Sequence, residues 1–168
     1  MIGRWIAAGL IAVGTVLPAV AEEAKPLMTS RSLTPETALE AARATLEACR
    51  KEGFQIAVAV VDRSGIAQVM LRDRFAGPHT PETATRKAWT AISFRTDTTT
   101  MTEETQAGKE ASGVRHVPGT AMIGGGVMIQ AGGELVGAIG VSGAPGGKQD
   151  DACARKGIAK IQEKLDFQ

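Results

Sequence analysis

The chain has 168 residues, with 19 basic and 18 acidic side chains, two histidines, two cysteines and no tyrosine. A net charge of +1 gives no support for nucleic acid or an anionic membrane as partner. The cysteine pair is no metal signature without a third ligand close by.

Met1 to Ala21 carries Arg4, an apolar run from Trp5 to Val16, Pro18, and Ala19-Val20-Ala21 ahead of Glu22 and Glu23. Basic, apolar and small-residue segments in that order form a secretory signal peptide. The apolar run is shorter than the ~20 residues a bilayer span needs. The sequence therefore predicts a signal peptide at 1–21, export to the periplasm or the exterior, and no stable membrane span after cleavage. Removing Arg4 with the leader leaves basic and acidic residues equal in number. Residues 22–32 are polar with a proline and are expected to form a flexible arm. Residues 33–168 are long enough for one domain with a core of its own.

A first helix is predicted from Thr34, a capping hydroxyl followed by Pro35 and Glu36 in the first turn. Leu39, Ala42, Leu46 and Cys49 share its apolar face, and Gly53 ends it. Phe54–Asp62 and Ala67–Arg72 read as antiparallel strands around Arg63-Ser64-Gly65. The first is almost wholly apolar, as a central strand covered on both faces would be. Thr80-Pro81-Glu82 repeats the first helix start, and a second helix is expected from there to about Phe94. Ala84, Ala88 and Ala91 give it a narrow stripe suited to close approach on a sheet.

A short helix is expected from about Thr102 to Lys109, with Thr100 and Glu103 spaced as a capping box. More than half of the 20 glycines then fall between Gly119 and Gly147. Repeated glycine between apolar residues points to a backbone, helix or ligand close by. Val127–Gln130 and Leu135–Gly143 read as a hairpin turning at Ala131–Gly133. Asp150–Leu165 is predicted as the last helix, burying Ala154, Ile158, Ile161 and Leu165, with Asp150 and Asp151 capping its start. Strands, helices, strands and a final helix describe an α+β domain around an antiparallel sheet.

Three blocks carry a family resemblance: IAVAVVDRSG with Arg72 beyond it, KAWTAISF, and the run from GGGVMI through VGAIGVSGAP to Gln149-Asp150-Asp151. In that order they resemble the GlcG/HbpS family of small haem-binding proteins, related to the PduO C-terminal domain. Met128, where that family often has Pro, and Asp150-Asp151, where it more often has Asp-Glu, are departures. The resemblance covers roughly Leu33 to Leu165. It implies a profilin-like antiparallel sheet flanked by helices, commonly a homo-oligomer, with haem or another small ligand as partner.

Imidazole is the usual axial ligand of haem iron, and no tyrosine is available in its place. His79, after Gly77-Pro78 and before the small-faced helix, is the first candidate ligand, and His116, beside the glycine-rich block, is the second. Against this stands the plain reading of two solvent-exposed loop histidines. Methionines 28, 70, 101, 122 and 128 offer thioethers but read as packing residues. Arg72 and Lys87 fall in the resembling blocks and are candidates for holding a propionate; their alternative is a surface ion pair.

Other chemistries find less support. Gly137, Gly140 and Gly143 lie inside a strand and lack nucleotide-loop spacing. Ser142 lacks the G-x-S-x-G elbow. His79 and Glu82 alone fall short of a metal signature. Cys49 and Cys153, on the first and last helices, are either a disulfide or two separate small core residues. Three classes remain: an exported, non-catalytic haem or tetrapyrrole binder, an enzyme acting on haem or a small carboxylate, and a cofactor-free oligomeric accessory protein.

Overall fold

The computed structural model describes residues 26–167. The signal peptide expected at 1–21 and the start of the arm expected at 22–32 lie outside the described residues.

Helix α1, Pro35–Lys51, starts where its capping hydroxyl places it: Thr34 Oγ1 accepts from Thr37 N at 3.3 Å. Its buried face is Ala38, Ala41, Ala42, Thr45, Leu46 and Cys49, while Leu39 stays half-buried at the margin. Thr45 is tolerated there because its hydroxyl donates to Ala41 O at 2.8 Å.

Four strands, β1 (Ala57–Asp62), β2 (Ala67–Arg72), β3 (Gly126–Ala131) and β4 (Glu134–Ser142), form one antiparallel sheet in the order β2-β1-β4-β3. β1 is central and buried on both faces. It begins later than its apolar run because Ile56 is already held by Asp73, through Asp73 N to Ile56 O at 2.9 Å and Ile56 N to Asp73 Oδ2 at 3.3 Å. The tight turn after β1 is fixed by Asp62 Oδ1, which accepts from Ser64 N at 2.8 Å and Ile66 N at 2.9 Å.

Side-chain size alternates along β1, and that alternation builds the layers. Val58 and Val60 face α1 and the last helix, α4 (Gly147–Asp166), in the larger core with Ile139, Val141 and Ile161. Ala57, Ala59 and Val61 face the other way, towards α2 (Thr80–Phe94). Small residues continue across that face: Ala59 is opposite Gly140. A Cβ on Gly140 would lie 2.0 Å from Ala84 O, so α2 rests on the sheet at backbone distance. The alanine stripe Ala84, Ala88 and Ala91 is fully buried in that contact.

Three boundaries differ from expectation. The N-cap of α2 is His79, not Thr80, because Thr80 Oγ1 turns back to donate to Gly77 O at 2.7 Å. The short helix is α3, Thr98–Glu104, and the Thr100 capping box does not set its start. Its N-cap is Asp97, whose carboxylate instead accepts from Met128 N at 2.9 Å and from Arg155 Nη2 at 2.7 Å. A 3-10 helix at Glu110–His116 precedes the hairpin and carried no amphipathic signal, since none of its residues is buried.

Cys49 and Cys153 are joined as a disulfide, with Cα atoms 5.4 Å apart, tying α1 to α4. Among the described residues, no helix is long and apolar enough to cross a membrane.

Candidate functional site

The alanine stripe that seats α2 on the sheet also aims Lys87 inward, because residue 87 follows Ala84 by three and lies on the same helical face. Lys87 is 2% exposed. Its ammonium donates to Val141 O at 2.9 Å and to Asp150 Oδ2 at 2.8 Å, so helix, strand and helix meet at one charge pair. Asp150 Oδ1 accepts from Ala144 N at 3.0 Å. Burial pushes the Asp150 carboxyl above its ordinary range, against the pull of the Lys87 charge, its hydrogen bond and the Ala144 N–H. A glycine gives the pair its room. Gly125 has φ +113, and a Cβ there would come within 2.6 Å of Asp150 Cβ and 3.1 Å of Lys87 Nζ.

Above this pair lies a cleft of about 370 Å³. His79, Thr83 and Ile123 line it together with Lys87, Asp150 and the glycine-rich loop between β4 and α4. His79 is exposed. Its carbonyl is fixed by Thr83, through N at 3.1 Å and Oγ1 at 2.9 Å. Its ring nitrogens make no hydrogen bond among the described residues, which leaves a lone pair free for a metal or a proton donor.

The structure thus brings His79 and Lys87 to one cleft. His116 and Arg72 do not line it. His116 is exposed at the end of the 3-10 helix. Arg72 ends the edge strand β2 and donates to Ala76 O from Nε at 3.1 Å and Nη2 at 2.5 Å, closing the loop after its own strand. Glu82 pairs with Arg86 at 2.6 Å, one turn along α2. Among the described residues, no three His, Cys, Asp or Glu side chains converge as a metal site.

Sequence reasoning gave Asp150 the role of a helix cap and missed it as the partner of Lys87. A signal was present: residues 150, 154, 157, 161 and 165 share the buried face of α4, so a carboxylate at 150 lies on the apolar side. Ile123, 52% exposed at the cleft, carried no periodic signal because it lies in an irregular loop.

Residues 33–159 match a family model described as haem degrading protein HbpS-like. The crystal structure of a double mutant of Streptomyces reticuli HbpS is similar at 40% identity, covering 86% of this chain and 97% of that one, with a TM-score of 0.76. The crystal structure of a PduOC–haem complex is similar at 30% identity, covering 77% of this chain and 95% of that one, with a TM-score of 0.73. The corrinoid adenosyltransferase PduO of Salmonella typhimurium is 32% identical over 121 residues, 71% of this chain and 36% of the relative. The chain therefore spans about a third of the length of the curated relatives it matches.

Proposed function

Because the chain belongs to the HbpS-like family, we propose that it is an exported haem- or tetrapyrrole-binding protein that sequesters, carries or senses its ligand without turning it over. The setting is the periplasm or the exterior, and the working form is a homo-oligomer. Export is supported by the leader pattern of residues 1–21. Haem binding is supported by the family and by the related PduOC–haem complex.

The single observation in this chain that carries the reading is His79, an exposed imidazole whose ring nitrogens make no hydrogen bond among the described residues, at a cleft walled by glycines and Ile123. The residues present fit the group. Haem supplies an iron that takes an imidazole as axial ligand. His79 is the residue that would hold it, with Thr83 fixing the backbone beneath the ring. Ile123 offers an apolar contact, and the Lys87–Asp150 pair stiffens the cleft from below. At about 370 Å³ the cleft is at the small end of ligand sites, so it covers part of a macrocycle and leaves the rest open.

The family description favours a second reading, an enzyme that degrades haem. Titration of the mature protein with haemin, followed by reductant and oxygen, separates the two. A saturable Soret change that survives reductant and air is expected for a carrier. Progressive loss of the Soret band under those conditions would transfer the protein to the degrading class, and weak, non-saturating spectra would end the haem reading.

A further inference from the structure

Three recesses meet at Ile123. One is the cleft of His79 and Lys87. A second, of about 330 Å³, holds Thr99, Thr102, Glu103 and Lys148. A third, of about 360 Å³, holds Thr83, Arg86, Arg115 and Thr120. Ile123 lines all three, and Thr83 lines both the first and the third, so the recesses adjoin one another around an exposed isoleucine.

The third recess has an unusual charge arrangement. Arg115 donates from Nε to Thr105 O at 2.5 Å and from Nη2 to Thr102 O at 2.7 Å, the carbonyls at the end of α3. Those bonds hold one edge of the guanidinium still and leave Nη1 with no hydrogen-bond partner among the described residues. No carboxylate pairs with Arg115 among the described residues. Beside it, among the described residues the Arg86 guanidinium engages only Glu82, an exposed pair one turn away on the same helix that is easily exchanged. The second recess, in contrast, carries one charge of each sign, Lys148 and Glu103. Two guanidiniums, one of them immobilised and without a counter-ion, favour a carboxylate in planar, bidentate recognition.

We infer that the Arg86–Arg115 recess is a carboxylate subsite, and that the adjoining recesses take an apolar ligand bearing carboxylates, its body against Ile123 and a carboxylate between the two guanidiniums. The identity of that body as a tetrapyrrole rests on the haem reading; the subsite itself does not require iron.

The test compares haemin and metal-free protoporphyrin with their dimethyl esters, using wild type, Arg115→Gln and Arg86→Gln. Arg86→Gln removes only the exposed pair with Glu82, so it stays informative if Arg115→Gln loosens α3. Each substitution is expected to weaken both free acids by roughly tenfold or more, the scale of a lost charged hydrogen bond. The esters, having no carboxylate to lose, are expected to bind all three proteins within about twofold. Equal binding of the free acids to wild type and variants, or an equal loss for the esters, overturns the subsite. If haemin binds through His79 and ignores both arginines, the subsite alone fails. If protoporphyrin binds through the arginines and haemin shows no ligation by His79, the haem reading alone fails, and if neither tetrapyrrole binds wild type, both fall.

Discussion

Lys87 Nζ lies 2.8 Å from Asp150 Oδ2, with both side chains almost wholly buried, so the charge on α2 is neutralised by the first turn of α4. The Val141 carbonyl at 2.9 Å makes the end of β4 the third member of the junction. The cleft above it keeps its shape only while these three elements stay together.

Removing one partner of such a pair strands the other in a dry site. Lys87→Met, which leaves the Asp150 carboxylate buried without its cation, is expected to cost about 3–5 kcal/mol, and Asp150→Asn distinctly less, because burial already disfavours the charge on that carboxyl. The double variant should lose less than the two singles added together, because neither charge is then left alone. Urea unfolding of the four proteins checks this, and strict additivity would show that the two residues act independently.

Acid sensitivity follows from the direction in which Asp150 is shifted. Burial raises its folded value above the unfolded one, so the folded state holds that proton more tightly. The stabilising contribution of this group is fully present below the ordinary carboxylate range, about pH 4, and is lost as pH rises through the folded value. Wild type should therefore gain stability relative to Asp150→Asn as pH falls from neutral towards 4. Thermal unfolding of both proteins across that range reads the sign, and a gap that is flat or moves the other way contradicts it.

Close packing of α2 predicts the cost of one methyl group. Gly140→Ala would put a Cβ at 2.0 Å from Ala84 O, a backbone atom with nowhere to go. A loss of about 1–3 kcal/mol or more is expected in unfolding experiments. The same change at Gly133, where an added Cβ would meet no atom within 4 Å among the described residues beyond its chain neighbours, meets mainly the backbone strain of φ +81 and should be milder.

The disulfide closes a long loop, its cysteines 104 residues apart in sequence. Replacing both by alanine is expected to lower stability by about 2–5 kcal/mol. It should also loosen α4, whose Cys153 stands one turn beyond Asp150. Hydrogen exchange of the α4 amides, with and without reductant, measures that loosening.

Much of the fold was legible because local chemistry and tertiary demand agree. Thr34-Pro35 caps α1, β2 occupies Ala67–Arg72 as read, and the alanines of α2 meet the sheet. The glycine-rich block proved to be the hairpin and the seat of α2, with Gly125 making room for the buried pair. Where reading failed, a distant partner decided. α3 starts at Thr98 because Asp97 serves Met128 and Arg155, neither of which is near it in sequence. α4 starts before Asp150 because that carboxylate turns inward to Lys87. The disulfide was undecidable until a Cα separation of 5.4 Å was known. Of the four candidate site residues, only His79 and Lys87 share a cleft, and the pair of arginines beside it gave no periodic or spacing signal.

We propose that this chain binds haem with His79 as its iron ligand. Haemin titration of wild type, His79→Ala and His116→Ala, read by absorbance, is the decisive experiment. The expected result is a saturable, stoichiometric Soret shift in wild type and His116→Ala that is lost in His79→Ala. Spectra unchanged by His79→Ala, or a shift lost only in His116→Ala, would contradict it.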